Sequence, residues 1–134
     1  AYAIGGRPAL VASEHKALYH AAAVMASNYL VTLFDVSHHL LQASGIAQDE
    51  AHRALLAMME HTLHNLEAVS ASDALTGPIA RGDLATVEQH IMHLDLWRND
   101  YAKLYCALGL ATSEIAPHLA PAQRETLRNL LSES

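Results

Sequence analysis

Between Ser13 and Gly45 the chain contains neither proline nor glycine, and its apolar residues recur at intervals of three and four. Tyr19, Ala22, Ala23, Ala26, Leu30, Leu33, Leu40 and Leu41 fall on one stripe of a helix with that period. Ser13 stands where an N-cap belongs, with Glu14 and Lys16 behind it, and Gly45 stands where a C-cap glycine belongs. The pattern predicts one uninterrupted helix of roughly 45 Å. In a chain of 134 residues every helix must contribute to the core. Its first half is lined by alanine, and small residues let another backbone approach closely.

The remainder reads as further helices. Asp49 to Val69 carries Leu55, Leu56, Met58, Met59, Leu63 and Leu66 in phase, and Ser70 to Asp83 then reads as a loop. Asp83 is placed to cap a third helix, with Thr86 and Glu88 in its first turns, running through Val87, Ile91 and Leu94. Near Trp97 to Asp100 the period kinks or restarts, continuing to about Ile115 with Tyr101, Leu104, Tyr105 and Leu108; Gly109 weakens this helix without ending it. Pro117 and Pro121 bracket a turn, and Pro121 suits the first position of a last helix ending near Leu131. The expected fold is all-α, a bundle of about five helices with a long first helix, formed by residues 13–134.

Residues 1–12 stand apart. Pro8 to Ala12 is a short apolar run after glycines, compatible with a single strand that has no partner strand in this sequence. The chain opens on Ala1 without methionine and enters through Gly5-Gly6, as if a preceding helix had been cut near its end. The segment is therefore expected to be the remnant of a preceding domain or linker, and the chain a piece of a longer one.

Charge narrows the partners. Fourteen acids against eight lysines and arginines give −6, with no basic run, which removes the usual electrostatic basis for binding nucleic acid or an anionic membrane. The most apolar stretch, Ala21 to Leu33, is broken by Ser27 and Asn28 and followed by Asp35, too short and too polar to span a bilayer. No basic region followed by an apolar one marks a signal peptide. The single Cys106 sits among Leu104, Tyr105, Ala107 and Leu108, a setting for a small buried hydrophobe, and a reducing, cytoplasmic compartment is expected.

Three groups of residues could carry chemistry. Ten histidines invite a metal site: His61 and His64, with Glu67 a turn on, share one helix face, and His90 and His93 another, while His38 and His39 form a weaker pair. Neither Glu-x-x-His repeats nor His-Glu-x-x-His occurs, and hydrogen-bonded histidines at amphipathic boundaries explain the same spacing. A second group is Tyr19-His20 through Ser27-Asn28, "YHAAAVMASN". At about 100° per residue His20, Val24 and Ser27 lie within a narrow arc with Asn28 at its margin. One helix could thus aim an imidazole, a hydroxyl and an amide at a cleft, or pair them within a helix interface. The third is "ALTGPIARGD", Ala74 to Asp83. Two glycines permit unusual backbone, Pro78 fixes one turn, and Arg81 is a planar bidentate donor for carboxylate or phosphate, unless it merely pairs with Asp83.

The segments "ALYHAAAVMASNYLVTL" (Ala17 to Leu33), "TLHNL" (Thr62 to Leu66) and "ALTGPIARGDLATVEQH" (Ala74 to His90) resemble the C-terminal half of a bacterial family of Rossmann-like proteins, domain of unknown function 2520. The resemblance runs from about Gly6 to the end. It implies a preceding dinucleotide-binding domain that would hold NAD(P), and a helical domain similar to the C-terminal domains of pyrroline-carboxylate, ketopantoate and hydroxyacid reductases, of the 6-phosphogluconate-dehydrogenase-like type. In those relatives this domain makes the homodimer and one wall of the cleft for a small-molecule substrate. The resemblance then places His20, Ser27 and Asn28 as catalytic residues of that wall. Tyr19, Thr76, Gly77, Pro78, Arg81, Gly82 and Asp83 become substrate-binding residues, and no residue here binds cofactor or metal. One departure stands out: hydroxyacid and ketopantoate reductases carry a lysine four residues before an asparagine, and here that position is Val24. The resemblance leaves two other readings open, a stand-alone helical homodimeric module and a histidine metal-binding bundle.

Overall fold

The computed structural model describes residues 11–132, all helix and connection, with no strand among them. A 3-10 turn, Ser13–His15, leads into α1 (Lys16–Ala43), followed by α2 (Gln48–Ala68), α3 (Ala71–Ala74), α4 (Pro78–Arg81), α5 (Leu84–Trp97), α6 (Asn99–Ile115) and α7 (Pro121–Ser132). The five long helices are those the periodicity predicts. The expected strand at Pro8 to Ala12 lies outside the described residues up to Leu10, and Val11 and Ala12 are irregular.

Local chemistry sets the ends. Ser13 does not cap the long helix, as expected from sequence; it begins the 3-10 turn, and α1 starts behind His15 with no side-chain cap. Its far end follows the prediction. Gly45 takes φ +89°, donates to Gln42 O, and Ile46 donates to Leu41 O, the two bonds of a Schellman stop. The break between α5 and α6 falls at Arg98, whose backbone is extended. There Arg98 N–H closes α5 on Leu94 O, while Arg98 O accepts from Tyr101 and Ala102 to open α6. The Arg98 guanidinium bonds Asp100 and lies 4.3 Å over the Tyr101 ring.

The chain divides into two compact units, one reaching Leu56 and the other starting at Ala57. In the first, Ala51 and Leu55 are buried, Phe34 meets the His52 ring edge-on at 5.1 Å, and His38 Nε2 lies 3.2 Å from Gln48 O. No residue of α1 is buried. In the second, Ile79, Val87, Ile91, Cys106, Ala116, Leu119, Leu127 and Leu131 form the core, with Leu75, Leu84, Tyr105, Leu110 and Leu130 against it. Arg124 fastens α7 to the end of α6 by donating to Ser113 O and Ala116 O, and Arg128 adds a bond to Glu114.

Gly109, expected only to weaken its helix, is a packing device. A Cβ there would stand 2.9 Å from Leu131 Cδ2 and 3.2 Å from Ile79 Cδ1. Glycine costs about 1 kcal/mol against alanine inside a helix, but here it lets α4 and α7 approach α6. Gly109→Val is expected to destabilise the chain by about 1–3 kcal/mol through overpacking. Leu127→Ala, at a fully buried position, should cost about 2–5 kcal/mol. Urea denaturation checks both, and an unchanged midpoint for Gly109→Val would refute the close-packing account.

Candidate functional site

The segment from Ser70 to Asp83, expected as an irregular loop, is built from two short helical turns. Ser70 caps α3 by accepting from Asp73 N–H. Gly77 (φ +97°) then delivers the chain to Pro78 at the first position of α4. Four residues later Gly82 enters the left-handed region at φ +67°, donates to Ile79 O, and Asp83 donates to Pro78 O, so the turn closes on a Schellman pair. Both glycines are required by these angles. Ile79 is buried in the core, with Leu75 and Leu84 against it, so the turn is clamped from below. Next to it, a Cβ on Gly82 would meet the Gln123 side chain of α7 at 2.8 Å.

Asp83 caps α5 as predicted. Its carboxylate accepts from Thr86 N–H at 3.2 Å and Thr86 Oγ1 at 2.8 Å, bonds that hold its pKa below the ordinary carboxylate value. Arg81 does not pair with it. Among the described residues the Arg81 guanidinium makes no hydrogen bond or ion pair, although it is near enough to contribute to the lowered Asp83 pKa. The other arginines of this unit, Arg98, Arg124 and Arg128, are engaged. Arg81 and Thr76 are exposed, so the turn offers an uncommitted planar donor on a rigid seat.

The second group lies on α1, in the other unit. Tyr19, His20, Ser27 and Asn28 are all exposed. Ser27 Oγ stands 2.6 Å from Ala23 O and 2.9 Å from Asn28 Oδ1, both acceptors, and no partner engages His20 among the described residues. Ser27 and Asn28 thus bond one another on an exposed stretch of helix. On the same helix Leu18, Ala22, Met25 and Tyr29 recur at four, three and four, and they are exposed as well. At about 100° per residue they lie opposite His20 and Ser27. His20 and Ser27 share that other side with Val24 and the exposed Val31.

The histidines are dispersed into local contacts. His61 lies 3.3 Å from Asn65, His64 3.3 Å from Glu67, His39 3.5 Å from Asp35, and His90 Nδ1 3.0 Å from the Tyr105 hydroxyl. Among the described residues no group of three or more His, Cys, Asp or Glu could hold a metal. The set His61, His64, Glu67, His90 and His93 is thus not gathered. No strand–turn–helix with a glycine-rich phosphate cradle is present among the described residues. The second unit does contain a cavity of about 450 Å³, lined by Glu88, Ile91, Met92, Asp95, Asn99, Ala102 and Leu130. None of the residues expected from sequence lines it, and its α5 residues face away from Asp83, Thr86 and His90.

A family model described as Domain of unknown function (DUF2520) matches residues 1–112. The chain belongs to the DUF2520 family. The match covers α1 to α5 and most of α6, and stops before α7, so the helix that supplies Leu127 and Leu131 to the core lies beyond it. Comparisons with curated proteins and with solved structures return no significant match.

Sequence reasoning missed Ile79, the anchor under the turn, and Tyr105 as the partner of His90. The first was hidden because one apolar residue in a loop has no period. The second paired residues fifteen apart on different helices. Because the folded Asp83 pKa is lowered, its cap adds stability above the unfolded carboxylate pKa of about 3.9 and loses it as pH falls through the folded value. Asp83→Ala is expected to lower the urea midpoint at neutral pH and to match the parent chain in strong acid. A difference that persists in acid would refute the cap.

Proposed function

We propose that this chain is the helical dimerisation and substrate-cleft domain of a cytoplasmic NAD(P)-dependent oxidoreductase, with the dinucleotide held by a preceding Rossmann-like domain. The observation that supports it is α1. The helix has 28 residues, none buried, with Leu18, Met25 and Tyr29 each more than half exposed. A helix apolar along one face requires a partner. In this reading the Leu18–Ala22–Met25–Tyr29 face meets a second copy. The opposite face turns His20 and Ser27 to the substrate, with Tyr19 and Asn28 on its two flanks. His20 serves as acid or base at the carbonyl, imidazole being the side chain suited to proton transfer near neutrality. The turn then supplies Arg81 as carboxylate or phosphate clamp, with Thr76, Gly77, Pro78, Gly82 and Asp83 setting its path. No nucleic acid and no membrane enters the proposal.

Two alternatives have support of their own. A stand-alone homodimeric module uses the same α1 face and leaves the polar groups structural. A bilayer is the other: the helical stretch Ser13–Ala43 contains an 18-residue window of mean hydropathy 1.3, long and apolar enough to cross a membrane by length and composition. The hydroxyl, amide and imidazole groups on one side of α1 favour a protein partner, since each is costly in hydrocarbon.

Sedimentation of the chain without detergent is expected to give about twice its 14.5 kDa mass. Ala22→Arg with Met25→Glu should shift it to monomer by placing charge in the contact. A parent that stays monomeric, or partitions into vesicles, would overturn the dimer. Intact mass of the product of the native gene separates the first two readings: a product near twice 14.5 kDa that binds NAD(P) supports the oxidoreductase, and one of 14.5 kDa supports the module.

A further inference from the structure

The cavity of about 450 Å³ in the second unit takes no part in the proposed function. Its longest wall is one face of α5, where "EQHIMHLD" sets Glu88, Ile91, Met92 and Asp95 at spacings of three, one and three. At about 100° per residue these four fall within an arc of roughly 100°. A carboxylate therefore stands at each end of the strip, with two apolar side chains between them. Asn99 and Ala102 of α6 and Leu130 of α7 supply the rest of the lining. The volume falls in the range of small-molecule sites, roughly 300–1,000 Å³.

The middle of this groove is apolar and anchored. Ile91 and Ala102 are buried, and Ile91 belongs to the core cluster on which Leu130 packs. Met92 is half-exposed, and its unbranched side chain can shape itself to an apolar body. The ends are acidic and uncompensated. Asp95 Oδ1 accepts from the Asn99 amide, which steadies that carboxylate, and the Glu88 carboxylate has no partner among the described residues. No lysine or arginine lines the cavity, and Arg98, Arg124 and Arg128 are bound elsewhere. Seven residues along α5 correspond to about 10 Å of axial rise between the two acids. A single ammonium, which must come within about 3 Å of each acceptor, does not suit that separation. A chain with a cation at each end does.

We propose that this groove binds a linear aliphatic diammonium, with its end cations on Glu88 and Asp95 and its methylene chain over Ile91, Met92 and Leu130. Burial of the chain supplies the apolar part of the affinity, and each end adds a charge-assisted hydrogen bond. Neither α1 nor the Gly77–Asp83 turn takes part, so failure of the oxidoreductase reading would leave the groove standing. The test is methyl NMR of the whole chain at about 0.15 M salt, which screens the net charge of −6. The probes are octamethylenediamine, octylamine and spermidine, the last having the same chain length as the diamine but a third ammonium where the groove is apolar. The diamine should move the Ile91, Met92 and Leu130 methyl signals along one saturable curve, binding about fivefold more tightly than octylamine or spermidine. Glu88→Gln and Asp95→Asn, isosteric changes at exposed positions, should each remove the preference for diamine over octylamine. Octylamine binding as tightly as the diamine would overturn the two-ended assignment, and a preference that survives both substitutions would overturn the roles of the two carboxylates. Spermidine binding as tightly as the diamine would reduce the groove to surface charge and overturn the apolar middle. Methyl signals unmoved by all three probes would overturn the groove as a binding site.

Discussion

Ile79 packs into the core beneath the turn against residue 109 of α6, where a Cβ would crowd its Cδ1 at 3.2 Å. Leu131 of α7 uses the same gap, so one glycine joins the short α4, the middle of α6 and the last helix. Everything distinctive about the turn follows from that contact. Once Ile79 is pinned, Gly77 and Gly82 bring the chain into and out of a single helical turn within four residues, and Asp83 can both end that turn and begin α5. Arg81 sits at the end of the pinned segment, and a guanidinium on a fixed backbone loses less freedom on binding than one on a mobile loop. A connection between helices needs none of this.

The first unit poses the reverse problem. Burial of apolar area is the main favourable term in folding, yet the N-terminal half of α1 buries nothing while exposing Leu18, Tyr19, Met25 and Tyr29. A helix of 28 residues is about 42 Å long, enough to reach well beyond the residues that hold its C-terminal half through Phe34 and His38. Its alanines are the residues that allow close backbone approach, and His20 and Ser27 lie across the helix from Leu18, Met25 and Tyr29. An apolar stripe of this length left exposed is what a helix shows where a partner covers it.

The parts of the fold carried by period and by punctuation were readable from the residues. The long helices, the stop at Gly45, the restart at Arg98, the Asp83 cap and the start at Pro121 follow from spacing and from side chains that act on their own backbone. What escaped depends on contacts between elements. Ser13 has the chemistry of a cap but its hydroxyl is not used as one, because the chain enters through a 3-10 turn. Gly109 reads as a weakness along its own helix, and only Leu131 and Ile79 packed against it give it a purpose. The histidine pairs on α2 and α5 suggested a shared ion by spacing, whereas His61, His64 and His90 found nearer partners in Asn65, Glu67 and Tyr105. The sequence offers Arg81 and Asp83 as a possible pair, and the structure instead gives the Asp83 carboxylate to Thr86, three residues on.

An acidic chain can hold an anion where its own acids are already satisfied. A net charge of −6 describes the field at long range, where salt screens it within about 8–10 Å. At contact distance the balance is set by which charges are already committed. Arg98 is held by Asp100, Arg128 by Glu114 and Arg124 by backbone carbonyls, so none of them is open to a ligand. Arg81 makes no such bond, while the Asp83 carboxylate near it accepts from Thr86 in the first turn of the next helix. Those bonds leave the Asp83 charge in place and favour it, so the turn carries an arginine and an ionised carboxylate together. The cavity on the other face of α5 has Glu88 and Asp95 at its lining with no arginine or lysine among them. Of the two faces of this helix, the one that bears Asp83 adjoins a turn whose backbone is clamped in place.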